Sequence, residues 1–269
     1  MSRVVFRISA GVLVGALVFL ATTLSLSEYY LDEQTRLLAA GDLQGALEAA
    51  QMGARLDPFD PKPLEGESFV LQQQGRYEDA ANSLRNAIER DPHNYVLYLM
   101  LGNLQFSRLD NLDAAVESYR DALRLNPNAL PASNSLAQAL IRKGELGAAM
   151  GVYEKLEEEK RISFYGLYNL GRIYVRTGEP DEGLKAIRRA KRKAQTELHR
   201  LKGPLKAQRQ QLIVSMELAI ADALVVQGRY AQARGVIAES SSEQAPALLQ
   251  LLNSNPEAYR EAVVGSEIY

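Results

Sequence analysis

Residues able to carry out covalent or metal chemistry are few in this sequence and widely scattered. Its 269 residues include no cysteine, which removes thiolate nucleophiles, disulfides, cysteine-ligated zinc and iron–sulfur clusters together. The two histidines, His93 and His199, lie far apart, and neither has the second imidazole that a HExxH-type zinc site requires. No metal site and no cofactor are therefore expected. Phosphate-cradling GxxxxGK[ST], nucleophile-elbow GxSxG and dinucleotide GxGxxG spacings are absent from the chain. The carboxylates are spread along helix exteriors, where they lack the desolvation that tunes a general acid. The expectation is that the chain has no catalytic residues and is not an enzyme.

Charge offers a second kind of chemistry. From Gly183 to Arg209 the chain places ten Lys or Arg residues against the single acid Glu197, with Lys191, Arg192 and Lys193 at the centre. The whole chain carries a net charge of -2, so this basic block is set against an acidic remainder. Such a block can serve anionic lipid headgroups, an acidic partner or nucleic acid, or it can be a solvated helix face. An acidic run, Glu154, Glu157, Glu158 and Glu159, lies just upstream and reads as a solvated face.

These residues must be held by something, and the first element able to hold them is apolar. Between Arg7 and Glu28 no charge interrupts Ile8 to Ser27, a stretch of 20 residues. A helix of that length spans ~30 Å, about the hydrocarbon thickness of a bilayer. A cleaved signal peptide is the competing reading, but its apolar region is usually ~7–15 residues, and Ser25-Leu26-Ser27 is a poor small-x-small site. The longer run predicts an uncleaved signal anchor. Arg3 and Arg7 precede it, whereas Glu28, Asp32 and Glu33 follow it. By the positive-inside rule the N-terminus stays in the cytoplasm and the rest lies outside it, which argues against nucleic acid as a partner. Gly11 and Gly15 form a GxxxG pair that would allow a weak homodimer of membrane helices.

Helical patterns fill the remainder, and they recur. Turn glycines fall at Gly41, Gly75, Gly144 and Gly178, with gaps of 34, 69 and 34. One period of about 34 with a disguised copy at Leu109-Asp110-Asn111 explains all three gaps. Pro58, Pro92 and Pro127, each after Asp or Asn, are spaced 34 and 35 and give the same register. With hydrophobic residues at 46% and charged residues at 24%, the composition is that of an ordered chain.

In these residues the chain resembles the tetratricopeptide repeat family. The first-helix pattern of that family appears at Leu167, Leu170, Gly171 and Tyr174. Its second-helix pattern appears at Ala80, Leu84, Ala87 and Pro92, and again at Ala115, Tyr119, Ala122 and Pro127. The resemblance implies an all-α solenoid of antiparallel helix pairs. Small residues mark where two helices of a pair touch, and proline ends the second helix. Copies are expected at about 27–60, 61–94, 95–129, 130–163, 164–197 and 214–247. The third has one extra turn residue, the fourth has Arg161 in place of proline, and the first has Gly53 in place of alanine. About 16 residues are inserted around Lys191 to Gln211, with Gly203-Pro204 as the expected break and longer helices on either side. The predicted organisation is a cytoplasmic N-terminus over 1–7, a transmembrane anchor over 8–27, a solenoid of about six repeats over 28–247 and a capping segment over 248–269.

In this family the first helices of successive copies line a concave face that binds peptides or helices. The resemblance carries that line onto Leu99, Asn103 and Phe106, then Asn134, Gln138 and Arg142, then Tyr165, Tyr168, Arg172 and Arg176. Asn and Gln can clamp a peptide backbone, Arg can pair with a carboxylate bidentately and Tyr supplies rigid contact area. The Lys and Asn pattern of chaperone-binding carboxylate clamps is not matched by any three consecutive copies. The sequence thus reads as a membrane-anchored scaffold or adaptor for protein partners, with the solenoid outside the cytoplasm. Two alternatives stand beside it: an envelope-biogenesis or transfer component whose basic block contacts anionic lipid or polymer, and a solenoid facing the cytoplasm that recruits soluble partners.

Overall fold

The computed structural model describes residues 2–266, with side chains from residue 13 onward. Arg3, Arg7 and Gly11 therefore lie outside the residues whose side chains are described. All regular structure among the described residues is helical, and the chain divides into two compact units, 1–132 and 133–269.

The first unit begins with α1 (Ser2–Ala39), which runs without a break from the apolar stretch into the first helix pair. From Leu13 to Leu20 every side chain is exposed, whereas Ser27 and Gln34 are buried. One helix therefore has two environments, and the change occurs at Ser27. There the hydroxyl of Ser27 donates to the carbonyl of Gly53 at 3.1 Å. That carbonyl belongs to α2 (Leu43–Leu56), which packs antiparallel on the second half of α1. The pairs α3 (Lys62–Gln73) with α4 (Tyr77–Arg90), and α5 (Tyr95–Ser107) with α6 (Leu112–Leu125), follow in the same way.

Turn chemistry accounts for the register. Gly41 and Gly75 adopt φ of +79 and +76, the left-handed conformation that glycine takes at little cost. At the disguised third turn the same role falls to Asp110, with φ of 52. Asp is among the few other residues that tolerate it. Asn111 then caps α6 by accepting from the backbone N–H of Ala114 at 3.1 Å. The extra residue of this copy is absorbed in the turn, and the helices keep their spacing.

The small-residue positions are where helices meet. Ala80, Leu84, Ala87, Ala115 and Ala122 are all fully buried, and Tyr119 is 1% exposed. Ala46, Leu47, Val70, Leu71, Leu101 and Leu104 complete a shared core with Ala80 and Leu84. Because these alanines are fully buried where helices meet, Ala80→Leu or Ala115→Leu is expected to destabilise the fold by ~1–3 kcal/mol. Thermal unfolding measures it, and an unchanged midpoint in both variants would contradict this packing register.

The boundary between units falls within α7 (Leu130–Arg142), after which come α8 (Leu146–Glu158), α9 (Phe164–Arg176) and α10 (Pro180–Leu198). The copy that lacks its proline turns instead at Lys160, which has φ of 56. Ser163 then caps α9 by accepting from the backbone N–H of Gly166 at 3.0 Å. The inserted residues lengthen α10 to 19 residues and α11 (Gly203–Val226) to 24, with the break at 199–202. α12 (Tyr230–Glu239), α13 (Ala245–Ser254) and α14 (Pro256–Gly265) complete the chain. α14 does not trail away: it packs on α11 and α9, with Tyr259 at 3% and Val263 at 5% exposure.

Candidate partner-binding surface

Four of the residues expected to line a binding face lie on α9, and the structure separates them. Tyr165 is open to solvent at 44% exposure, whereas Tyr168 is buried at 8%. Tyr168 therefore offers little open surface in this structure, while Tyr165 offers more. The guanidinium of Arg172 lies 5.3 Å from the centre of the Tyr168 ring, within cation–π range. One turn further on, Nη1 of Arg176 donates to the carbonyl of Arg172 at 3.2 Å.

What covers this part of the line is the end of the chain itself. Nε of Arg176 donates to the backbone carbonyl of Ser266 at 2.8 Å, and Nη2 donates to the Ser266 hydroxyl at 2.6 Å. On the neighbouring α11, Asp222 accepts from the Tyr259 hydroxyl at 2.9 Å. Burial pushes the Asp222 carboxyl above its ordinary range, with the Tyr259 hydrogen bond and the charges of Arg176 and Arg172 pulling the other way. Burial likewise lowers Arg176, helped by the nearby Arg172 charge, and raises Tyr259. Tyr168, Arg172, Arg176 and Asp222 thus form one polar cluster, joined by Tyr259 of α14. Sequence reasoning missed Asp222, Tyr259 and Ser266, because the cluster joins three helices that no repeat register relates.

Elsewhere the line is more open. Asn103 on α5 is exposed, and its side-chain oxygen accepts from the Tyr119 hydroxyl at 3.0 Å. Leu99 is half-buried against Ala122, Ala129 and Ala132, and Phe106 is half-buried too. On α7, Asn134 and Gln138 are half-buried and Arg142 is exposed.

The basic block proves to be partly consumed by structure. Arg189 pairs with Glu157, Lys191 with Glu217 at 2.8 Å, Lys185 with Glu182 at 2.6 Å and Arg209 with Glu197 at 3.1 Å. Lys193 donates to the carbonyl of Ile162 at 3.0 Å. Arg188, Arg192, Arg200, Lys202 and Lys206 are in no described ion pair. The upstream acidic run takes part as well: besides the Glu157 pair, Glu154 accepts from the Tyr174 hydroxyl at 2.7 Å. The two charge runs meet at the Arg189–Glu157 pair. Both histidines are exposed.

One feature of the insertion had no counterpart in the sequence reading. Phe164, Tyr165, Leu201, Leu205, Arg209 and Leu212 line an open cleft of about 470 Å³. The guanidinium of Arg209 stacks 4.1 Å from the Phe164 ring centre. The apolar spacing of Leu201, Leu205 and Leu212 was the available signal, hidden by the surrounding charges.

Comparison with known proteins gives the following. The family described as "Tetratricopeptide repeat" matches residues 70–129, 104–163 and 165–192. The BBSome complex member BBS4 of Bos taurus is 25% identical over 138 residues, covering 51% of this chain and 26% of that protein. The chain therefore spans about a quarter of that curated relative's length. Among solved structures, MamA superposes with a TM-score of 0.57 at 24% identity, covering 66% of this chain and 97% of MamA. PilF of Pseudomonas aeruginosa gives a TM-score of 0.58 at 14% identity, covering 89% of this chain and 97% of PilF. At these identities the two structures speak for the fold alone.

Proposed function

The chain is built on tetratricopeptide repeats, and on that premise we propose that it is a membrane-anchored adaptor whose solenoid binds protein partners outside the cytoplasm. Repeats of this type mediate protein–protein interaction and assembly. The observation that carries the anchored reading is α1. From Leu13 onward its apolar stretch is left almost wholly uncovered by the rest of the chain. A bilayer offers that surface the burial the protein does not. Retention of the segment is supported by Ser27, whose hydrogen bond to Gly53 ties the end of the apolar stretch to the first repeat. Cleavage after Ser27 would sever α1 at the residue where its packing on α2 begins.

The partner surface we assign is the line of first helices: Asn103 in the first unit and, in the second, Asn134, Gln138, Arg142, Tyr165, Tyr168, Arg172 and Arg176. The reading is supported by exposed or half-exposed groups that clamp a peptide backbone or a carboxylate. Against a lipid- or polymer-binding role for Lys191, Arg192 and Lys193 stands the pairing of two of them within the fold. A homodimer through Gly11 and Gly15 remains part of the proposal, and the rest of the chain leaves Gly15 uncovered.

Two measurements test the reading. The chain is expected to stay with membranes through salt and carbonate extraction; a soluble product starting near Glu28 would show a cleaved leader instead. Photocrosslinkers placed at Arg142 and Tyr165 are expected to trap the partner in membranes, and those at Arg188 and Arg200 are not. Adducts confined to the second pair would move the binding site to the basic block.

A further inference from the structure

The turn between α2 and α3 holds an aromatic side chain where nothing in the protein covers it. Phe59 is 81% exposed, more than any other large hydrophobic residue among the described residues, including those of the apolar stretch. A single exposed phenylalanine is ordinary. This one is held in place by an unusual number of bonds.

Arg90 reaches back from the end of α4 and donates to two carbonyls of the turn and one of α2: Nη1 to Asp57 at 2.9 Å and Asp60 at 2.8 Å, and Nη2 to Ala54 at 2.9 Å. The Asp57 carboxylate accepts from the backbone N–H groups of Phe59 at 3.0 Å and Asp60 at 3.1 Å. Asp60 in turn accepts from the N–H of Lys62 at 3.0 Å. Both acids are engaged with the backbone, so the turn is fixed and its tip is apolar.

The position of the tip follows from the antiparallel packing. Ser27 is level with Gly53, and a Cβ on Gly53 would lie 3.5 Å from the Pro63 ring and 3.6 Å from the Ser27 carbonyl. Leu56 lies three residues beyond Gly53, ~4.5 Å further along the axis, in the direction of the apolar end of α1. The turn follows Leu56, so Phe59 lies on the side of Gly53 toward the apolar end of α1. Tyr29 and Tyr30, edge to face at 5.5 Å, follow Ser27 within one turn on its other side. Arg55 and Lys62 flank the turn, exposed and in no described ion pair.

We propose that the Asp57–Asp60 turn is a second membrane contact, with Phe59 seated in the acyl and headgroup boundary of the bilayer that α1 enters and with Arg55 and Lys62 at the level of the lipid phosphates. The proposal rests on the reading of α1 as a membrane span. An aromatic ring at the level where a span leaves the hydrocarbon fits the interfacial preference of such rings, and basic side chains beside it reach the headgroups. Two fixed points, α1 and Phe59, hold the first repeat against the surface where one alone would let it tilt.

The chain contains no tryptophan, so one introduced tryptophan reports on one site. Full-length Phe59→Trp, Leu17→Trp and Phe69→Trp variants are reconstituted separately in phosphatidylcholine vesicles with and without brominated acyl chains. Phe59→Trp is expected to show blue-shifted emission and to lose most of it to brominated lipid, as Leu17→Trp does within the span. Phe69→Trp, on the exposed face of α3 about two turns away, keeps its emission and is quenched by acrylamide. If Phe59→Trp behaves like Phe69→Trp while Leu17→Trp is quenched by lipid, the second contact is refuted and the span stands. If Leu17→Trp is also unquenched by lipid, the span itself fails, and the contact with it. Arg90→Ala in the Phe59→Trp chain is expected to weaken lipid quenching, since it frees the turn without touching the ring; unchanged quenching would remove the stapled turn from the explanation.

Discussion

Gly183→Leu is expected to prevent the α9–α10 pair from forming, with a large fall in the unfolding midpoint or loss of soluble protein. A Cβ built on Gly183 would lie 2.7 Å from the carbonyl oxygen of Gly171 and 2.6 Å from a Val175 methyl. A Cβ on Gly171 would lie 2.8 Å from the carbonyl of Gly183 and 2.5 Å from Ile187 Cγ1. Each glycine thus accepts the other's backbone, and a carbonyl cannot rotate away as a side chain does. Even Gly183→Ala should cost ~1–3 kcal/mol through overpacking, which exceeds the ~0.5–1 kcal/mol that alanine gains over glycine in a helix. Gly235, in α12, has nothing within 4 Å of its would-be Cβ. There the balance reverses, and Gly235→Ala should stabilise slightly. Urea unfolding of the three variants settles the comparison: equal effects at Gly183 and Gly235 would show that helix propensity, not close approach, governs both sites.

Tyr259→Ala is expected to release α14 while leaving the rest of its unit folded. Removing a buried aromatic ring costs ~3–5 kcal/mol, and a ten-residue helix has little stability of its own to set against that. The Asp222 carboxyl also loses its hydroxyl donor. Amide exchange over 256–266 should rise toward that of an unfolded segment, with α9 and α10 still protected; unchanged protection would mean that α14 is held by other contacts. Tyr259→Phe should act weakly, since only the hydroxyl is lost. The same cluster gives a pH dependence. Burial holds the folded-state value for Asp222 above the unfolded one, so the folded chain binds the extra proton and its stabilising contribution is complete below the ordinary aspartate range. That contribution is lost as pH rises through the raised value. Asp222→Asn removes the charge, so its stability relative to the parent chain should increase with pH across the acidic range, as thermal unfolding would record.

The repeat register was readable because it is local. Glycine in a turn, proline after a helix and alanine at a contact each report on residues a few positions away, and the buried Ala80, Ala115 and Ala122 follow. The third turn was harder to see because Asp110 takes the left-handed conformation without glycine. What the sequence could not reveal was long-range. Arg189 meets Glu157 from another helix and Lys191 meets Glu217, so a count of like charges along the chain overstated the basic surface. Tyr168 is buried although it stands on the first-helix line, and α14 shows only two buried residues one turn apart, Tyr259 and Val263. Two such residues make no recognisable period.

The unbroken course of α1 from the apolar stretch through Ser27 makes the first repeat an azimuthal extension of the proposed span. A flexible linker would let the repeat swivel; a continuous helix sets its heading by phase. One residue added between Thr22 and Ser27 would turn the repeat by ~100° about the helix axis, since the helix has ~3.6 residues per turn. Seven added residues, close to two turns, would return it to within ~20° of its heading while lifting it by ~10 Å. The side from which a partner meets the first repeat is then a matter of residue count modulo the helical turn, and the membrane acts as the reference plane of a compass whose needle is α1.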